Sequence, residues 1–300
     1  MRVLLAGASG LIGGRLRSWL PGRGHELARL VRRLEPGPGE IAWDPARGQL
    51  EPAAVSGFDA AVVLSGAGLA ERRWSAARRR ELEASRVAPV ALLARALAAA
   101  ARPPRVLVTM SGVGWYGDRG DAWLDEASAP GEGFLASLAR AWEAAAQPAA
   151  DAGVRVVALR TGIVLAREGG ALAQLLPLAR LGLSGPRGSG RQWWSWITLD
   201  DFAAALLHVL SHEALRGGVN VVAPEPVTNA AFARELGRAL GRPALLPAPA
   251  LALRLALGRG LADEMLLASQ RVRPAALLAS GFGFGDPTLP GALARLLART

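Results

Sequence analysis

Apolar residues along the first half of the chain fall into short runs separated by stretches with helical spacing. The short runs are rich in Val, Leu and Ala, which predicts buried strands at Arg2–Ala6, Glu26–Val31, Asp59–Leu64, Arg105–Met110 and Val154–Arg160. Helical spacing predicts helices at Leu11–Leu20, Ser75–Ala101 and Gly133–Gln147. Because strands alternate with helices, we expect an α/β fold with a doubly wound parallel sheet.

The pattern changes after Gly162, where loops become longer and helices more frequent. Gly, Pro and Trp crowd residues 182–196, and a helix at Thr198–Leu210 and a strand at Val219–Val222 follow. Further helices are predicted at Asn229–Leu240, Ala248–Leu257, Ala262–Ser269 and Pro290–Ala298. We therefore predict a Rossmann-type domain over 1–165, to which 197–224 returns. Residues 166–196 and 225–300 would form a smaller, helix-rich C-terminal lobe on the substrate side.

The composition limits the chemistry that the chain can support. Among 300 residues there is no cysteine and there are three histidines, so we expect no disulfide, no thiol nucleophile and no metal site. The apolar stretch Pro243–Leu253 lies between two arginines and is shorter than the roughly 20 residues of a membrane helix. No secretory signal is visible. We expect a cytoplasmic monomer or homodimer without a membrane partner.

The net charge of +10 raises the question of a nucleic-acid partner. The 35 basic residues are all arginine, in a chain that is also rich in Ala, Gly and Pro, which is typical of a GC-rich genome. The densest arginine cluster, within 72–80, lies among Glu71, Glu81 and Glu83 and so resembles a solvated, paired helix face. We expect no nucleic-acid partner.

Three glycines open the first strand-to-helix turn. Gly7 would permit the tight turn, Gly10 would let the backbone approach a pyrophosphate, and Gly13 would let the helix pack closely on the strand. The helix N-terminus adds N–H donors and a positive dipole end. The turn predicts a dinucleotide site, the alternative being a purely structural turn. The predicted site also contains Ser9, Leu11 and Ile12.

The end of the second strand carries Arg32 and Arg33, where an NAD enzyme would place an acidic residue for the ribose hydroxyls. Two guanidinium groups suit a 2′-phosphate, so the sequence predicts NADP(H). The alternative is that both arginines belong to a solvated strand end.

Further motifs extend along the whole chain: W-D-P at Trp43–Pro45, L-S-G-A-G at Leu64–Gly68, R-R-W at Arg72–Trp74, S-R-V at Ser85–Val87, S-G-V-G-W-Y-G-D-R-G at Ser111–Gly120, R-T-G-I-V-L at Arg160–Leu165, G-S-G-R-Q-W-W-S-W-I at Gly188–Ile197, P-V-T-N at Pro226–Asn229 and G-F-G-F at Gly281–Phe284. With G-A-S-G-L-I-G, they resemble the extended short-chain dehydrogenase/reductases. Within these, the chain is most similar to an atypical "epimerase family protein" subgroup with a short C-terminal domain of its own.

The resemblance implies a departure in the catalytic residues. The superfamily uses a Ser or Thr with Tyr-x-x-x-Lys, in which lysine lowers the pKa of the tyrosine. This chain has no lysine, and Phe134 or Leu135 stands where that tyrosine is expected. Gly112 aligns near the catalytic serine, one residue after Ser111. Tyr116, the one tyrosine, matches a tyrosine that lines the substrate pocket of sugar epimerases, so Ser111 and Tyr116 are the catalytic candidates. The alternative for Tyr116 is a packed aromatic in a turn.

The resemblance also implies a set of binding residues. On the cofactor side these are Leu64, Ser65, Gly66, Glu81, Arg86 and Ile163. On the substrate side they are Asp118, Arg119, Arg160, Arg191 and Trp196. Arginines facing the crevice would suit an anionic substrate. The tryptophans at 193, 194 and 196 would either support a ligand or pack between the lobes, and His25 is expected to be a loop residue.

Two classes of function follow from these residues. The first is an NADP(H)-dependent, epimerase- or dehydratase-like oxidoreductase that acts on a small anionic or sugar-type substrate without the usual relay. The second is a non-catalytic NADP(H)-binding sensor or assembly factor. The missing Tyr-Lys pair favours the second class, whereas the polar cluster over 111–121 favours the first.

Overall fold

The computed structural model describes residues 1–33 and 35–298. Its strands are β1 Arg2–Ala6, β2 Glu26–Val31, β3 Glu40–Ala42, β4 Ala60–Val63, β5 Val106–Gly112, β6 Trp123–Leu124, β7 Arg155–Thr161, β8 Ile163–Leu165, β9 Trp193–Trp194, β10 Trp196–Thr198, β11 Gly217–Val221, β12 Val227–Thr228 and β13 Arg271–Val272. Its α-helices are α1 Leu11–Trp19, α2 Ala76–Ala98, α3 Phe134–Ala144, α4 Gln147–Asp151, α5 Gly170–Arg180, α6 Leu199–Ser211, α7 Asn229–Ala239, α8 Ala250–Leu257, α9 Arg259–Leu261, α10 Ala275–Ala279 and α11 Leu289–Ala298.

Seven strands form one sheet in the order β11-β7-β5-β4-β1-β2-β3. Every neighbouring pair is parallel. The carboxyl ends of these strands therefore meet at one edge, and the strand order reverses between β1 and β4. Open α/β sheets bind ligands at such an edge. The prediction of a Rossmann-type parallel sheet is confirmed, as is the helical C-terminal region.

The central strands are apolar because helices cover both faces of the sheet. In β4 all four residues, from Ala60 to Val63, are buried, and the same holds for Val3–Ala6 of β1. The main core also contains Phe202 and Leu206 of α6 and the apolar residues of β11, so the segment 197–224 lies with the large sheet.

A second, smaller core forms around Trp194, Trp196, Phe232 and Leu293. It joins α5, α7 and α11 to the short strands β8–β10 and β9–β12. Part of the C-terminal region returns to the main core, because Leu277 and Phe282 are buried there. Residues 225–300 therefore do not all belong to the smaller lobe.

The structure adds elements that the sequence pattern did not predict. Helix α5 begins at Gly170 and carries Pro177 in its interior, so it lacks the usual start signals, and contacts with β8 and α7 stabilise it. Residues Ala262–Leu267, predicted as a helix, form a π-helical turn. Among the described helices, none is both long and apolar enough to cross a bilayer.

Candidate functional site

The first strand-to-helix turn has the close backbone packing that its glycines predict. Gly7 has a φ of +85°, and a Cβ atom there would lie 2.8 Å from the carbonyl carbon of Leu64. A Cβ atom on Gly13 would lie 2.1 Å from the carbonyl oxygen of Gly7. Gly10 precedes α1, is exposed, and would place a Cβ atom no closer than 3.7 Å to its nearest neighbour. Only glycine fits at 7 and 13, and the backbone at Gly10 is open to a ligand.

Residues beside the glycines have different surroundings. Ser9 is exposed in the turn, whereas Ile12 packs against the main core. Leu11 lies against the segment after β8, since a Cβ atom on Gly169 would be 3.0 Å from the Leu11 side chain. The unpaired N–H groups of the first turn of α1 thus lie next to a second backbone segment at the same edge of the sheet.

The two arginines after β2 are not equivalent. Arg33 contacts the carboxylate of Glu40, which also forms an ion pair with Arg29 (2.9 Å) and accepts a hydrogen bond from the backbone N–H of Gly37 (2.9 Å). Arg32 is exposed and forms no ion pair or hydrogen bond with any of the described residues. Among the described residues, Arg32 is therefore the cation at this strand end without an ion pair, and Arg33 is partly neutralised.

The loop after β4 is organised by Arg86, which extends from α2. Its guanidinium donates to the carbonyl oxygen of Ala67 (2.8 Å) and lies 5.2 Å from the ring of Trp142. A Cβ atom on Gly66 would lie 3.2 Å from this guanidinium. Arg86 is buried and forms no ion pair with a described carboxylate, and burial lowers its pKa to about 10. A buried cation without an ion pair among the described residues thus lies beside Gly66 and Ala67, in the loop that follows Leu64 and Ser65.

Glu81, the other α2 residue assigned to the cofactor side, belongs to a surface cluster of ion pairs. Its carboxylate accepts from Arg78 (2.7 Å) and also contacts Arg72. Arg78 in turn binds Glu71 (2.9 Å). This clustering corresponds to the paired helix face that the sequence predicts, and each oxygen of the Glu81 carboxylate is paired with an arginine.

A buried polar network lies at the carboxyl ends of β5 and β7. Arg160 of β7 binds Glu143 of α3 through two hydrogen bonds, from Nε and Nη2, each of 2.9 Å. The hydroxyl of Ser111, in β5, donates to the same carboxylate at 2.7 Å. The guanidinium stacks on Trp115 at 3.8 Å, and a Cβ atom on Gly218 would lie 2.4 Å from its Cζ. Neighbouring β11 thus needs glycine there to accommodate Arg160.

Tyr116 completes this network and is fully buried. Its hydroxyl donates to Oδ1 of Asn220 (2.7 Å) and accepts from Nη1 of Arg160 (3.3 Å). Burial raises the pKa of Tyr116 against the opposing effect of Arg160, so the phenol stays neutral at ordinary pH. The alternative of a packed aromatic fits this geometry, because the hydroxyl has no free face toward a substrate.

Two substrate-side expectations change for the same reason. Arg160 was expected to face the crevice, but its guanidinium is buried against Glu143. Trp196 was also expected there, but it is fully buried and its indole N–H donates to the carbonyl oxygen of Glu225 (2.9 Å). Both corrections follow from burial, which favours pairing of polar groups within the protein. Ile163 pairs with Trp196 in the β8–β10 ladder.

The remaining substrate-side residues lie nearer the surface. Asp118 is exposed and accepts from the backbone N–H of Ser269 (3.1 Å), which ties the 117–121 loop to the C-terminal region. Arg119 is half-buried, and its guanidinium donates to the carbonyl oxygen of Ala129 (3.3 Å). Arg191 is exposed. These three polar residues remain available for a ligand.

The structure reveals one carboxylate that sequence reasoning missed at the start of α3. Glu264, on the π-helical turn, accepts from the backbone N–H groups of Phe134 (3.1 Å) and Leu135 (2.7 Å). A Cβ atom on Gly133 would lie 3.0 Å from this carboxylate, so glycine is needed there. Glu264 thus caps the N-terminus of α3 at the two residues where the resemblance places the family's tyrosine. Sequence reasoning also missed Glu143 and Asn220. Of these residues only Glu143 could have been noticed in the sequence, because it is the one acidic residue of the largely apolar helix α3.

These features define a class of protein: a Rossmann-type α/β fold with a glycine-lined turn after its first strand. The chain belongs to the NAD dependent epimerase/dehydratase family, whose model matches residues 3–223. Residues 248–296 match a second model, a domain of unknown function called DUF1731. The resemblance stated from the motifs is therefore confirmed, including the separate C-terminal domain.

Individual relatives cover the full chain. The epimerase family protein ML0860 of Mycobacterium leprae (strain TN) is 42% identical over 297 residues, which are 99% of this chain and 96% of that protein. A crystal structure of human epimerase family protein SDR39U1 (isoform 2) with NADPH has a TM-score of 0.91 and 40% identity, and each chain is covered to 100%. A nucleoside-diphosphate sugar epimerase from Corynebacterium glutamicum has a TM-score of 0.82 and 35% identity, over 99% of this chain and 58% of that one.

Proposed function

We propose that the protein binds NADP(H) at the carboxyl edge of its parallel sheet and acts as an oxidoreductase of the epimerase/dehydratase type. One observation carries the binding proposal. Neighbouring backbone lies so close to Gly7 and Gly13 that a Cβ atom fits at neither residue, while the space around Gly10 is open. This geometry suits a pyrophosphate lying on the N-terminus of α1. The human relative crystallised with NADPH supports the same choice of cofactor.

The residues present also fit the 2′-phosphate that distinguishes NADP(H) from NAD(H). Arg32 is exposed and unpaired among the described residues, whereas Arg33 shares its charge with Glu40. Arg32 would therefore form the main charge-assisted contact with the phosphate. The buried, unneutralised guanidinium of Arg86 adds positive charge near the loop after β4. When bound, NADP(H) supplies or accepts a hydride.

Proton transfer in such an enzyme would have to use groups other than the usual relay. The hydroxyls of Ser111 and Tyr116 are engaged by Glu143 and Asn220. Exposed Asp118 or a water molecule is the group left to take or give a proton on a small anionic or sugar-type substrate.

The second candidate is a non-catalytic NADP(H)-binding sensor or assembly factor. The burial of Ser111 and Tyr116 favours this candidate, since the hydroxyls of both catalytic candidates form hydrogen bonds within the protein interior. NADPH oxidation over a panel of carbonyl compounds and sugar nucleotides separates the two candidates. Turnover with any of them supports the enzyme, and its absence in a preparation that binds NADPH supports the binding protein.

Cofactor binding is tested by titrating NADPH and NADH into four variants. We expect Gly13→Ala to weaken both cofactors by at least about tenfold, because its methyl group would collide with the Gly7 carbonyl oxygen. Gly14→Ala is the matched control, since a Cβ atom at Gly14 meets nothing within 4 Å. Arg32→Ala should cost about 1–3 kcal/mol of NADPH affinity and leave NADH unchanged. Arg33→Ala should cost less, because Glu40 already pairs with it.

Equal affinities of the unaltered protein for NADPH and NADH would contradict the choice of cofactor. Equal effects of Gly13→Ala and Gly14→Ala would contradict the assigned pyrophosphate site. Circular dichroism and thermal unfolding of each variant show whether a loss of binding reflects a loss of fold.

A further inference from the structure

Exposed apolar side chains of the described residues concentrate on one part of the surface. Ten large apolar side chains of the residues that the structure describes are exposed, and seven of them are leucines in two short segments: Leu178, Leu181 and Leu183 in the first, and Leu245, Leu246, Leu251 and Leu255 in the second. Leu245 is 81% exposed and Leu181 is 71% exposed. Clustering of this kind marks a binding surface, whereas single exposed leucines are ordinary.

The two segments are joined to each other. The backbone N–H of Ala248 donates to the carbonyl oxygen of Pro186, and the N–H of Gly188 donates to the carbonyl oxygen of Ala248, each at 2.8 Å. A Cβ atom on Gly182 would lie 3.3 Å from the ring of Pro243. Helix α8, which follows, has no buried residue. The seven leucines therefore form one surface, here called the leucine–arginine face, with the arginines described next.

The leucine–arginine face is positively charged. Neither 169–199 nor 236–262 contains an Asp or a Glu, whereas the two stretches contain seven arginines. Arg234, Arg238 and Arg242 line a groove of about 390 Å³, together with apolar residues that include Leu245. Arg238 is paired with Glu235 and Arg254 with Asp263, but Arg234 and Arg242 form no ion pair with a described carboxylate. Free cations thus lie directly beside protruding leucines.

We propose that the leucine–arginine face docks on the surface of a lipid bilayer that contains anionic lipids. Leucines enter the boundary between headgroups and acyl chains, while Arg234 and Arg242 bind lipid phosphates, as in interfacial amphipathic segments. Like charge opposes a second copy of the same face. A rigid protein partner would need a matching cavity for each leucine, whereas acyl chains adapt to side chains that protrude this far. This proposal departs from the expectation of no membrane partner.

The test is sedimentation of the full chain with vesicles. We expect binding to vesicles of about 30% phosphatidylglycerol in phosphatidylcholine, and at least about tenfold weaker binding to phosphatidylcholine alone. Arg234→Ala with Arg242→Ala should lower the partition coefficient on anionic vesicles about 25-fold, at about fivefold for each arginine. Leu245→Glu with Leu251→Glu should lower it by more than about tenfold, because these side chains would no longer insert. Leu278→Glu is the matched control, since Leu278 is 50% exposed but lies outside the face.

Several outcomes would overturn the proposal. Equal binding to both vesicle types would show that the arginines do not contribute to binding. Unchanged binding by the double glutamate variant would show that the leucines do not insert. A dimer in sedimentation equilibrium that the glutamate variant dissociates assigns the face to a second copy. If poly-glutamate binds as tightly as anionic vesicles, and the double glutamate variant binds it equally well, the leucine–arginine face is a site for an acidic polymer instead. Circular dichroism and NADPH titration verify that each variant is folded.

Discussion

Removing the Glu143 carboxylate tests whether the buried network supports the fold. The side chains of Arg160 and Glu143 are 7% and 14% exposed, so the guanidinium would remain in the interior without a counterion. It would lose two hydrogen bonds of 2.9 Å, and the Ser111 hydroxyl would lose its acceptor. Breaking one side of a buried pair costs about 3–5 kcal/mol, and we expect Glu143→Ala to lower the free energy of unfolding by that amount.

The control is a pair of the same chemistry whose arginine lies in water. Glu235, 16% exposed and so about as buried as Glu143, binds Arg238 at 2.6 Å, but the arginine side chain is 68% exposed and would be solvated without its partner. Glu235→Ala should therefore cost only about 0.2–1 kcal/mol. Replacing Glu143 and Arg160 together with Met should recover much of the loss, because no unpaired charge then remains in the interior.

Urea unfolding, followed by tryptophan fluorescence and far-ultraviolet circular dichroism, measures these differences. A cost for Glu143→Ala no larger than that for Glu235→Ala would refute the reasoning, since it would mean that water reaches Arg160 in the folded protein. A double Met variant less stable than Glu143→Ala would also refute it.

Two further predictions concern single side chains. Tyr116→Phe should lower the free energy of unfolding by about 1–3 kcal/mol, because Asn220 loses its buried hydrogen-bond donor. NADPH affinity should stay within about twofold. A fall in kcat of about 10²–10⁴-fold without loss of stability would instead assign Tyr116 to proton transfer. Burial by itself would raise the pKa of Asp286, but hydrogen bonds from Arg295 and Thr198 outweigh it and the pKa is lowered. The stability that ionised Asp286 contributes is therefore present above its unfolded pKa of about 3.9 and is lost as pH falls through the lower folded pKa. Below about pH 4, the free energy of unfolding should therefore fall more steeply with decreasing pH in the unaltered protein than in Asp286→Asn.

The sequence by itself determined the parallel sheet and the turn at its first strand. Strands β1 and β2 have the predicted bounds, and α1 ends one residue before its predicted end. These elements follow from local periodicity, since an apolar run buried on both faces and a helical stripe are visible within a few residues. The tight turn at Gly7 and the close helix–strand contact at Gly13 also follow from the sequence, because both require glycine whatever surrounds them.

Only the tertiary structure decided which polar groups pair and which apolar ones stay in water. Arg160, Tyr116 and Asn220 come from distant parts of the chain, and burial forces them to satisfy one another when packing brings them together. The same holds for Arg33, which pairs with Glu40, while Arg32 has no ion-pair partner in the described part of the chain. Leucines with ordinary helical spacing at α5 and α8 remain exposed because no other element of the described structure packs over them. Periodicity records that a side chain is apolar, but only packing determines whether it leaves water.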